Sequence, residues 1–320
     1  MGEQMRQVLL GMAVGDSIGL PYEGLKASKI ARRLEGQPLR QCLWFGKGWI
    51  SDDTETAILT LAALRMPGPP ERGMALLLRK WFWTIPPGIG LATVRSCLKM
   101  TFNGANPKSG VMSAGNGALM RALICGVWAA ERNVDPAELA ERMARPTHAH
   151  PLALDGCRAL AVNAFHAAGG IEPKSALAAA IQQIETDDMQ DRLNRALAFD
   201  LTRLGLPENP PGFVGFSLPL AVAAWMRHPT DMKAAISEVV LLGGDTDSHA
   251  ALVGGLCAIS GAELPSDWIE NIGDRPISPS WIASFAENDK ATSIPWFALR
   301  LRNLKLLAIV LAHGFLRLVK

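Results

Sequence analysis

An all-α fold is predicted by the spacing of the apolar residues and by the near absence of strand patterns. Alanine and leucine recur three and four residues apart over most of the 320-residue chain, which is the spacing of one helix face. Alternation of apolar and polar residues, typical of a half-buried strand, is rare. Clusters of proline and glycine, such as 67–70 and 209–212, interrupt the helical segments. We therefore expect a single all-α domain over residues 1–320, with a dozen or more helices and functional loops between them.

The same spacing predicts where the helices lie. Val8, Leu9 and Met12 indicate a helix over about 5–14, which Gly15 and Asp16 are expected to close before a loop over 15–23 and mixed structure over 24–50. Further helices are predicted at about 57–64, 72–84, 135–146, 152–167, 173–184, 188–204, 217–225, 231–242, 247–261, 266–272 and 279–286. A short helix is expected to end near 100, and the stretch 113–121 leads into an apolar helix that ends near 130. The apolar segment over about 294–320 predicts a C-terminal helix docked on the domain rather than on a membrane.

Composition and charge exclude several classes of protein. Hydrophobic residues make up 49% of the chain, enough for a packed core, and the net charge of +2 gives no support to general nucleic-acid or membrane-surface binding. Five cysteines without a C-x-x-C pair argue against a disulfide framework or a thiolate zinc site and fit a reducing cytosol. The chain begins without a signal-peptide pattern, and the apolar run 306–316 is too short to span a bilayer. We expect a cytoplasmic protein.

Two acidic clusters, nearly two hundred positions apart, are the main candidates for function. Residues 243–248, with the sequence GGDTDS, lie between two apolar runs, and residues 51–54, with the sequence SDDT, precede a helix. Carboxylates with apolar flanks are costly to remove from water unless another group compensates their charge. A divalent cation is the obvious compensating group, so the two clusters are interpreted as the halves of one metal site.

The residue types in the two clusters favour a hard cation. Asp52, Asp53, Asp245 and Asp247 supply four carboxylates, enough for two adjacent Mg²⁺ or Mn²⁺ ions, and Ser51 and Ser248 would fill neutral positions. The clusters contain no cysteine or histidine, which argues against zinc or copper. An EF-hand is excluded because the glycine and glutamate of that loop are missing after Asp245.

Two other interpretations of the clusters remain open. Ser51 or Asp52 could cap the following helix, with acids in its first turn, but capping explains only one or two of the four polar residues. The D-x-D pattern of residues 245–247 also resembles the aspartyl nucleophile of phosphoryl-transfer enzymes, for which residues 239–242 would be the preceding strand. Two intervening glycines and the absence of strand–helix alternation argue against it. A metal-dependent phosphohydrolase is therefore the second hypothesis for the reaction.

Two loops carry weaker signals. Gly115, Asn116 and Gly117 precede an apolar helix, where backbone N–H groups can approach an anion closely, although the same residues also mark ordinary turns. His148 and His150 lie in a loop between two helices. A pair of histidines without a third ligand nearby does not support a zinc site.

These motifs, taken together and in order, resemble those of the ADP-ribosylglycohydrolase family. The resemblance covers about residues 5–261, most of the chain. It rests on five motifs in register: Gly15-Asp16 with Glu23, residues 51–54, Gly115-Asn116-Gly117 with Met120-Arg121, Thr147-His148, and residues 243–247. Five ordered motifs are far more specific than any one of them.

The resemblance implies an all-helical fold with a binuclear Mg²⁺ or Mn²⁺ centre at the bottom of a cleft. The metal ligands it implies are Ser51, Asp52, Asp53, Asp245, Asp247 and Ser248. Threonine is usual in the family at the position of Ser248 and frequent at that of Ser51. Serine keeps the oxygen but lacks the methyl group that restricts the rotamer.

The resemblance also implies the reaction and the remaining site residues. Gly115, Asn116 and Gly117 would contact the diphosphate of ADP-ribose, and His148 would lie beside the ligand. Glu23 would be the general acid or base, with Asp53 and Asp245 as further catalytic carboxylates that stabilise an oxocarbenium-like transition state. The expected reaction is hydrolysis of the bond between ADP-ribose and a protein side chain, first of all arginine. Hydrolysis of serine-linked or free ADP-ribosyl compounds is the alternative within the family.

A binding protein without turnover is a hypothesis of a different class. Such a protein would recognise ADP-ribosylated targets or neutralise an ADP-ribosylating toxin, so a toxin or its target is a further candidate partner. Retention of the four aspartates and of Glu23 favours an enzyme.

Overall fold

The computed structural model of the chain describes residues 2–198, 201–290 and 292–319, with side chains described as far as residue 312. Within them lie 16 α-helices, and backbone pairing outside the helices and turns is limited to isolated bridges, so the predicted all-α fold is confirmed. The helices are α1 Gly2–Gly19, α2 Ala27–Leu34, α3 Asp52–Arg65, α4 Pro70–Phe82, α5 Leu91–Asn103, α6 Leu119–Arg132, α7 Pro136–Ala144, α8 Pro151–Ala168, α9 Pro173–Ile181, α10 Asp187–Ala196, α11 Val214–Arg227, α12 Met232–Val240, α13 Thr246–Ile259, α14 Ser266–Ile269, α15 Pro279–Glu287 and α16 Trp296–Val319.

The pair formed by α1 and α13 is the centre of the fold. Glycines at 11, 15 and 19 lie on one face of α1, and their missing side chains let the backbone of α13 approach. A Cβ atom at Gly15 would lie 1.9 Å from the carbonyl oxygen of Ala250, and one at Gly11 would lie 2.4 Å from that of Gly254. Contact this close is available only to glycine.

This contact overturns the predicted end of the first helix. Gly15 and Asp16 do not close α1, which continues to Gly19 and runs into a short 3₁₀ helix over Leu20–Tyr22. Most of the predicted loop over 15–23 is therefore helical. Glycine in an isolated helix costs about 1 kcal/mol, but here a repeat of four residues brings the glycines onto the buried side, where tertiary packing outweighs that cost.

Other helices differ from the prediction mainly at their ends. The segment 24–50 contains α2, whose single buried residue, Ile30, gave no apolar period to detect. The predicted helix over 188–204 is shorter, because α10 ends at Ala196 and a separate 3₁₀ helix follows over Leu201–Leu204.

The C-terminal helix packs against the segment that precedes the first acidic cluster. Leu306 and Ile309 of α16 are buried with Leu20, Leu43 and Trp49 in a small hydrophobic cluster. The helix begins at Trp296 rather than 294, and Lys320 lies outside the described residues. No helix of the described chain is both long and apolar enough to cross a bilayer.

Replacement of Gly15 by alanine tests the α1–α13 contact. The new Cβ atom would overlap a backbone carbonyl that cannot rotate away, so we expect Gly15→Ala to lower the free energy of unfolding by about 3 kcal/mol. Urea unfolding followed by circular dichroism measures the change. Gly90→Ala is the control, because a Cβ atom there meets no heavy atom within 4 Å and its φ is −64°. Equal midpoints for the two variants would contradict the proposed packing.

Candidate active site

A cleft of about 570 Å³ opens where the N-termini of four helices converge. The first turns of α3, α5 and α13 and the loop that leads into α6 all contribute to its walls. Helix N-termini carry partial positive charge, so this arrangement favours negatively charged groups. Ten of the eleven predicted site residues line the cleft: Glu23, Asp52, Asp53, Gly115, Asn116, Gly117, His148, Asp245, Asp247 and Ser248.

Ser51, the eleventh, lies behind the cleft wall as the N-cap of α3. Its hydroxyl accepts the backbone N–H of Asp53 at 3.1 Å. Capping is therefore the role that the structure shows for Ser51, and its role as a metal ligand stays a prediction. The other three polar residues of the cluster are not explained by capping.

The turn at Ser51 is held from below by Asp16 of α1. Both carboxylate oxygens of Asp16 accept the N–H of Ser51 at 2.9 Å, and one also accepts the N–H and the hydroxyl of Thr54. Asp16 is fully buried, and burial raises its pKa to about 6. These contacts are with the backbone and the hydroxyl groups of Ser51 and Thr54, and Asp16 is not among the residues that line the cleft, so it supports the site.

The second acidic cluster is shaped by its two glycines. Gly243 and Gly244 have φ values of 74° and 80°, a region that other residues rarely adopt. A Cβ atom at Gly244 would lie 2.1 Å from the carbonyl of Pro210, and one at Gly243 would lie 2.4 Å from that of Leu25. The glycines therefore let three chain segments meet at the start of α13.

The same turn fixes the position of Glu23. The N–H of Gly24 donates to the carbonyl of Gly244 at 2.8 Å, and the N–H of Gly244 donates to the carbonyl of Leu25 at 3.0 Å. Glu23 is half-buried and lines the cleft. Its backbone is thus attached to the second acidic cluster, next to the carboxylates with which it would act.

The two acidic clusters meet directly. The hydroxyl of Ser248 donates to a carboxylate oxygen of Asp53 at 2.8 Å, across 195 positions of sequence. Asp52, Asp245 and Asp247 line the same cleft. The convergence expected from the sequence is present in the fold.

Burial and mutual repulsion make these carboxylates costly to ionise. Burial first, and then neighbouring acids, raise the pKa of Asp52, Asp53 and Asp247 well above the ordinary value. Across the described residues, none of the ion pairs involves these three side chains or Asp245. Oxygen donors that are desolvated and without a cationic partner fit a hard divalent cation.

The side chains are not already arranged around an ion. Among the described residues, no group of three or more His, Cys, Asp or Glu side chains forms a ready ligand set. Asp53 instead accepts the hydroxyl of Ser248, and Asp245 accepts the amide of Asn116 at 2.6 Å. Cation binding would require these side chains to exchange those hydrogen bonds for the ion, a change of rotamer rather than of backbone.

The glycine loop is less open to an anion than its sequence suggests. The N–H of Gly115 donates to the hydroxyl of Ser113, and that of Asn116 donates to the carbonyl of Gly212. Of the three residues, Gly117 alone has an amide without such a partner in the described chain. The side-chain amide of Asn116 donates hydrogen bonds to Asp245 and Ser217. Asn116 therefore links the glycine loop to the acidic cluster.

His148 forms the base of this wall in a neutral state. Burial and the nearby Arg121 lower its pKa to about 3. Arg121 donates to the hydroxyl of Thr147, which lies 2.8 Å from Nδ1 of His148 and 3.4 Å from the carbonyl of Ala144. Nε2 of His148 lies against Gly115 on the cleft side. The ring therefore presents a neutral hydrogen-bonding nitrogen towards the cleft.

A buried ionic network behind α3 was not detected in the sequence. Arg302 of α16 donates to Glu55 at 2.6 Å, to Asp274 at 2.9 Å and to the carbonyl of Ile50, while Asp274 accepts the N–H of Ile50 at 3.2 Å. The backbone N–H and carbonyl of Ile50, the residue before Ser51, are therefore both hydrogen-bonded within this network. The sequence signal that could have revealed this network was Arg302 itself, a charged residue on the buried face of the apolar helix α16.

The loop over 209–212 was interpreted only as a break between helices, but it forms part of the cleft. The carbonyl of Pro210 accepts the N–H of Asp245 at 3.0 Å, and the carbonyl of Gly212 accepts that of Asn116 at 3.1 Å. The loop thus joins the second acidic cluster to the glycine loop. Nothing in a proline-rich turn distinguishes this use from an ordinary connection.

The raised pKa values predict a pH-dependent stability. A carboxyl group whose pKa is higher in the folded protein binds more protons when folded, so its contribution to stability is lost as the pH rises. In EDTA, Asp247→Asn should therefore become more stable than the unchanged protein as the pH rises, by up to roughly 1.4 kcal/mol per pH unit. Excess Mn²⁺ should reverse the difference, because the ion stabilises the ionised carboxylates. Urea unfolding at several pH values measures both, and a pH-independent difference would contradict the prediction.

Removal of the buried cation should destabilise the fold. In Arg302→Met, Glu55 and Asp274 stay buried without their partner, and we expect the free energy of unfolding to fall by roughly 3–5 kcal/mol. Arg302→Lys should lower the free energy of unfolding by less, because the positive charge remains although the planar guanidinium group is missing. The control is Arg300→Met, at an exposed position on the same helix. The network would be energetically unimportant if the variants at 302 and 300 unfolded at the same urea concentration.

Comparison with known proteins gives a consistent family. The model of the ADP-ribosylglycohydrolase family matches residues 2–298. An uncharacterised protein of Archaeoglobus fulgidus is 27% identical over 86% of this chain and 93% of its own length. The ADP-ribosyl-[dinitrogen reductase] glycohydrolase of Rhodospirillum rubrum is 24% identical over 82% of this chain and 88% of its own.

A solved structure shows the same fold. It is titled an ADP-ribosylglycohydrolase-related protein complex, superposes with a TM-score of 0.71, is 25% identical, and is matched over 92% of this chain and 99% of its own. The family resemblance inferred from the five motifs is confirmed by these matches. The chain belongs to the ADP-ribosylglycohydrolase family.

Proposed function

We propose that the protein is a metal-dependent hydrolase that releases ADP-ribose from a modified protein side chain, with arginine as the first acceptor to test. Family membership indicates ADP-ribosyl glycohydrolase activity. The observation that carries the finer proposal is the arrangement of the cleft. Carboxylates that need a cation lie on one side, and a wall of glycines with a neutral histidine lies on the other. ADP-ribose has matching parts, with ribose hydroxyls at its end and a diphosphate in its middle.

Asp52, Asp53, Asp245 and Asp247 would hold two Mg²⁺ or Mn²⁺ ions, with the hydroxyls of Ser248 and Ser51 as neutral ligands. Ser248 already donates to Asp53 within the cleft, whereas Ser51 would have to leave its capping hydrogen bond. When bound, such ions supply Lewis acidity that orients hydroxyl groups of the substrate and activates water. The R. rubrum relative is named for action on a modified protein, dinitrogen reductase, which favours a protein substrate here.

The chain's own carboxylates would supply the remaining chemistry. Departure of the side chain develops positive charge on the ribose, and Asp53 and Asp245 would stabilise that charge electrostatically. Glu23 stands at the edge of the cleft, close enough to raise the pKa of Asp52 and Asp247 by repulsion. It would transfer a proton to the leaving group or take one from water.

The opposite wall would position the rest of the ligand. Gly115 and Gly117 leave room for a diphosphate because they have no side chain, and the free amide of Gly117 would donate to it. Nε2 of His148 would donate a second hydrogen bond without introducing charge. Asn116 would act indirectly, by orienting Asp245.

Turnover on defined substrates tests the proposal. Protein samples modified on arginine or on serine are incubated with the enzyme in excess Mn²⁺ or Mg²⁺, and released ADP-ribose is measured by chromatography. We expect release from the arginine-linked substrate, and a fall in kcat of at least about 100-fold in Asp245→Asn, because a carboxylate that stabilises the transition state is lost. Asp187→Asn, at an exposed position of α10, is the control and should retain full activity.

Three other outcomes identify different functions. Release from the serine-linked substrate alone would change the acceptor but keep the reaction. Tight binding of ADP-ribose in calorimetry without any release would indicate a binding protein. Phosphate release from a monoester, without release of ADP-ribose, would support the phosphohydrolase hypothesis.

A further inference from the structure

One stretch of the chain has an unusual distribution of charge. Residues 72–130 contain none of the 30 acidic residues and seven of the 32 basic residues. The stretch forms most of α4, the loop before α5, α5 itself, the glycine loop and most of α6. It therefore supplies much of one wall of the cleft, which His148 completes.

The same stretch is rich in exposed apolar side chains. Six of the fourteen exposed large hydrophobic residues of the described chain fall within a span of thirty positions, at Trp83, Ile85, Leu91, Leu98, Phe102 and Met112. Phe102 is 82% exposed, and Leu91 and Met112 are each 71% exposed. Exposed apolar residues scattered singly are ordinary, so the informative ones are those that a single helix presents on the same face.

Helix α5 gives the surface its geometry. Leu91, Arg95, Leu98, Lys99 and Phe102 recur at the spacing of one helix face, and all five are exposed. We refer to these five residues as the α5 face. Thr93, Ser96, Cys97 and Met100 are the buried residues of the same helix.

The α5 face begins at the cleft. Leu91 lines the cleft and lies in the first turn of α5, while Phe102 lies in its last turn, about 16 Å further along the helix. Leu91 therefore joins the α5 face to the cleft. A polypeptide attached to an ADP-ribose in the cleft would have the other four residues of the face beside it, along α5.

The charges on this face have no partners within the described chain. None of the ion pairs involves Arg95 or Lys99, although salt bridges are frequent elsewhere on the helices. Basic groups without ion-pair partners, interleaved with exposed leucine and phenylalanine, are complementary to a polypeptide that carries acidic and apolar residues.

We propose that the α5 face is the docking surface for the ADP-ribosylated protein, and that it favours modified sites flanked by acidic residues. The inference rests on the proposed function, because it assigns the part of the substrate that lies outside the cleft. The cleft recognises ADP-ribose, and the α5 face selects among modified proteins by the residues that surround the modified one.

The test compares two variants on two kinds of ligand. Arg95→Glu with Lys99→Glu reverses the charge of the α5 face, and Arg300→Glu with Lys305→Glu is the matched control, two exposed bases of α16 that do not line the cleft. The ligands are free ADP-ribose and modified peptides with either glutamate or lysine flanks. Calorimetry measures the Kd of each, and ADP-ribose release measures kcat and KM.

The unchanged protein should bind the glutamate-flanked peptide on the order of tenfold more tightly than the lysine-flanked peptide. The charge reversal should invert this preference while leaving the Kd for ADP-ribose and the kcat unchanged. The control variant should behave as the unchanged protein. Because the preference is measured by binding, it is tested even if no turnover occurs, and absence of turnover alone counts only against the proposed function.

Four results would overturn the inference. The first is equal affinity of the unchanged protein for the two peptides, and the second is an equal loss of peptide and ADP-ribose binding in the charge-reversed variant. The third is binding to vesicles of phosphatidylserine that the charge reversal abolishes, which would assign the face to a membrane. The fourth is a dimer in sedimentation that the charge reversal dissociates, which would assign it to a second copy of the chain.

Discussion

The burial of several carboxylates around one helix start is the constraint on which the rest of this structure depends. Asp16, Asp53, Glu55 and Asp247 are each less than a tenth exposed and raise one another's cost of ionisation. Among the described residues, the buried cation paired with this group is Arg302, which contacts Glu55 on the side away from the cleft. Helix N-termini and backbone amides compensate part of the remaining charge. Within the described residues, Asp52, Asp53, Asp245 and Asp247 on the cleft side form no ion pair, and that is the physical basis for expecting cations there.

Close helix packing and side-chain hydrogen bonds to the backbone set the positions of those acids. The glycines of α1 bring α13 within backbone distance, so that the hydroxyl of Thr246 reaches the carbonyl of Gly19 at 2.9 Å. Asp16, on the same helix, holds the start of α3 through the amide of Ser51. One helix therefore fixes the relative positions of both acidic clusters. Because each cluster lies in the first turn of its helix, little freedom remains in the distance between them.

The three surfaces around the cleft differ in chemistry and would divide the recognition of one large substrate. The acidic floor suits cations and, through them, the hydroxyls of a ribose. The wall of Gly115, Gly117 and His148 suits a diphosphate because it offers space and hydrogen-bond donors without a second charged cluster. The α5 face suits a polypeptide. Asn116 connects the first two surfaces through its hydrogen bond to Asp245. Ligand binding at one surface would therefore change the position of side chains at the other.

The sequence by itself determined the helical class, the family and ten of the residues that line the cleft, because apolar spacing and short runs such as 51–54 and 243–248 are local properties. The tertiary structure alone decided how α1 continues through Gly15, because that depends on how closely a helix more than two hundred residues away approaches. It also decided that Asn116 binds Asp245 and that Arg302 holds the turn before Ser51. These contacts join remote segments, and the chemistry of each residue alone is compatible with many partners. The packing of remote segments selects the partner of each residue, and no single stretch of the sequence determines that packing.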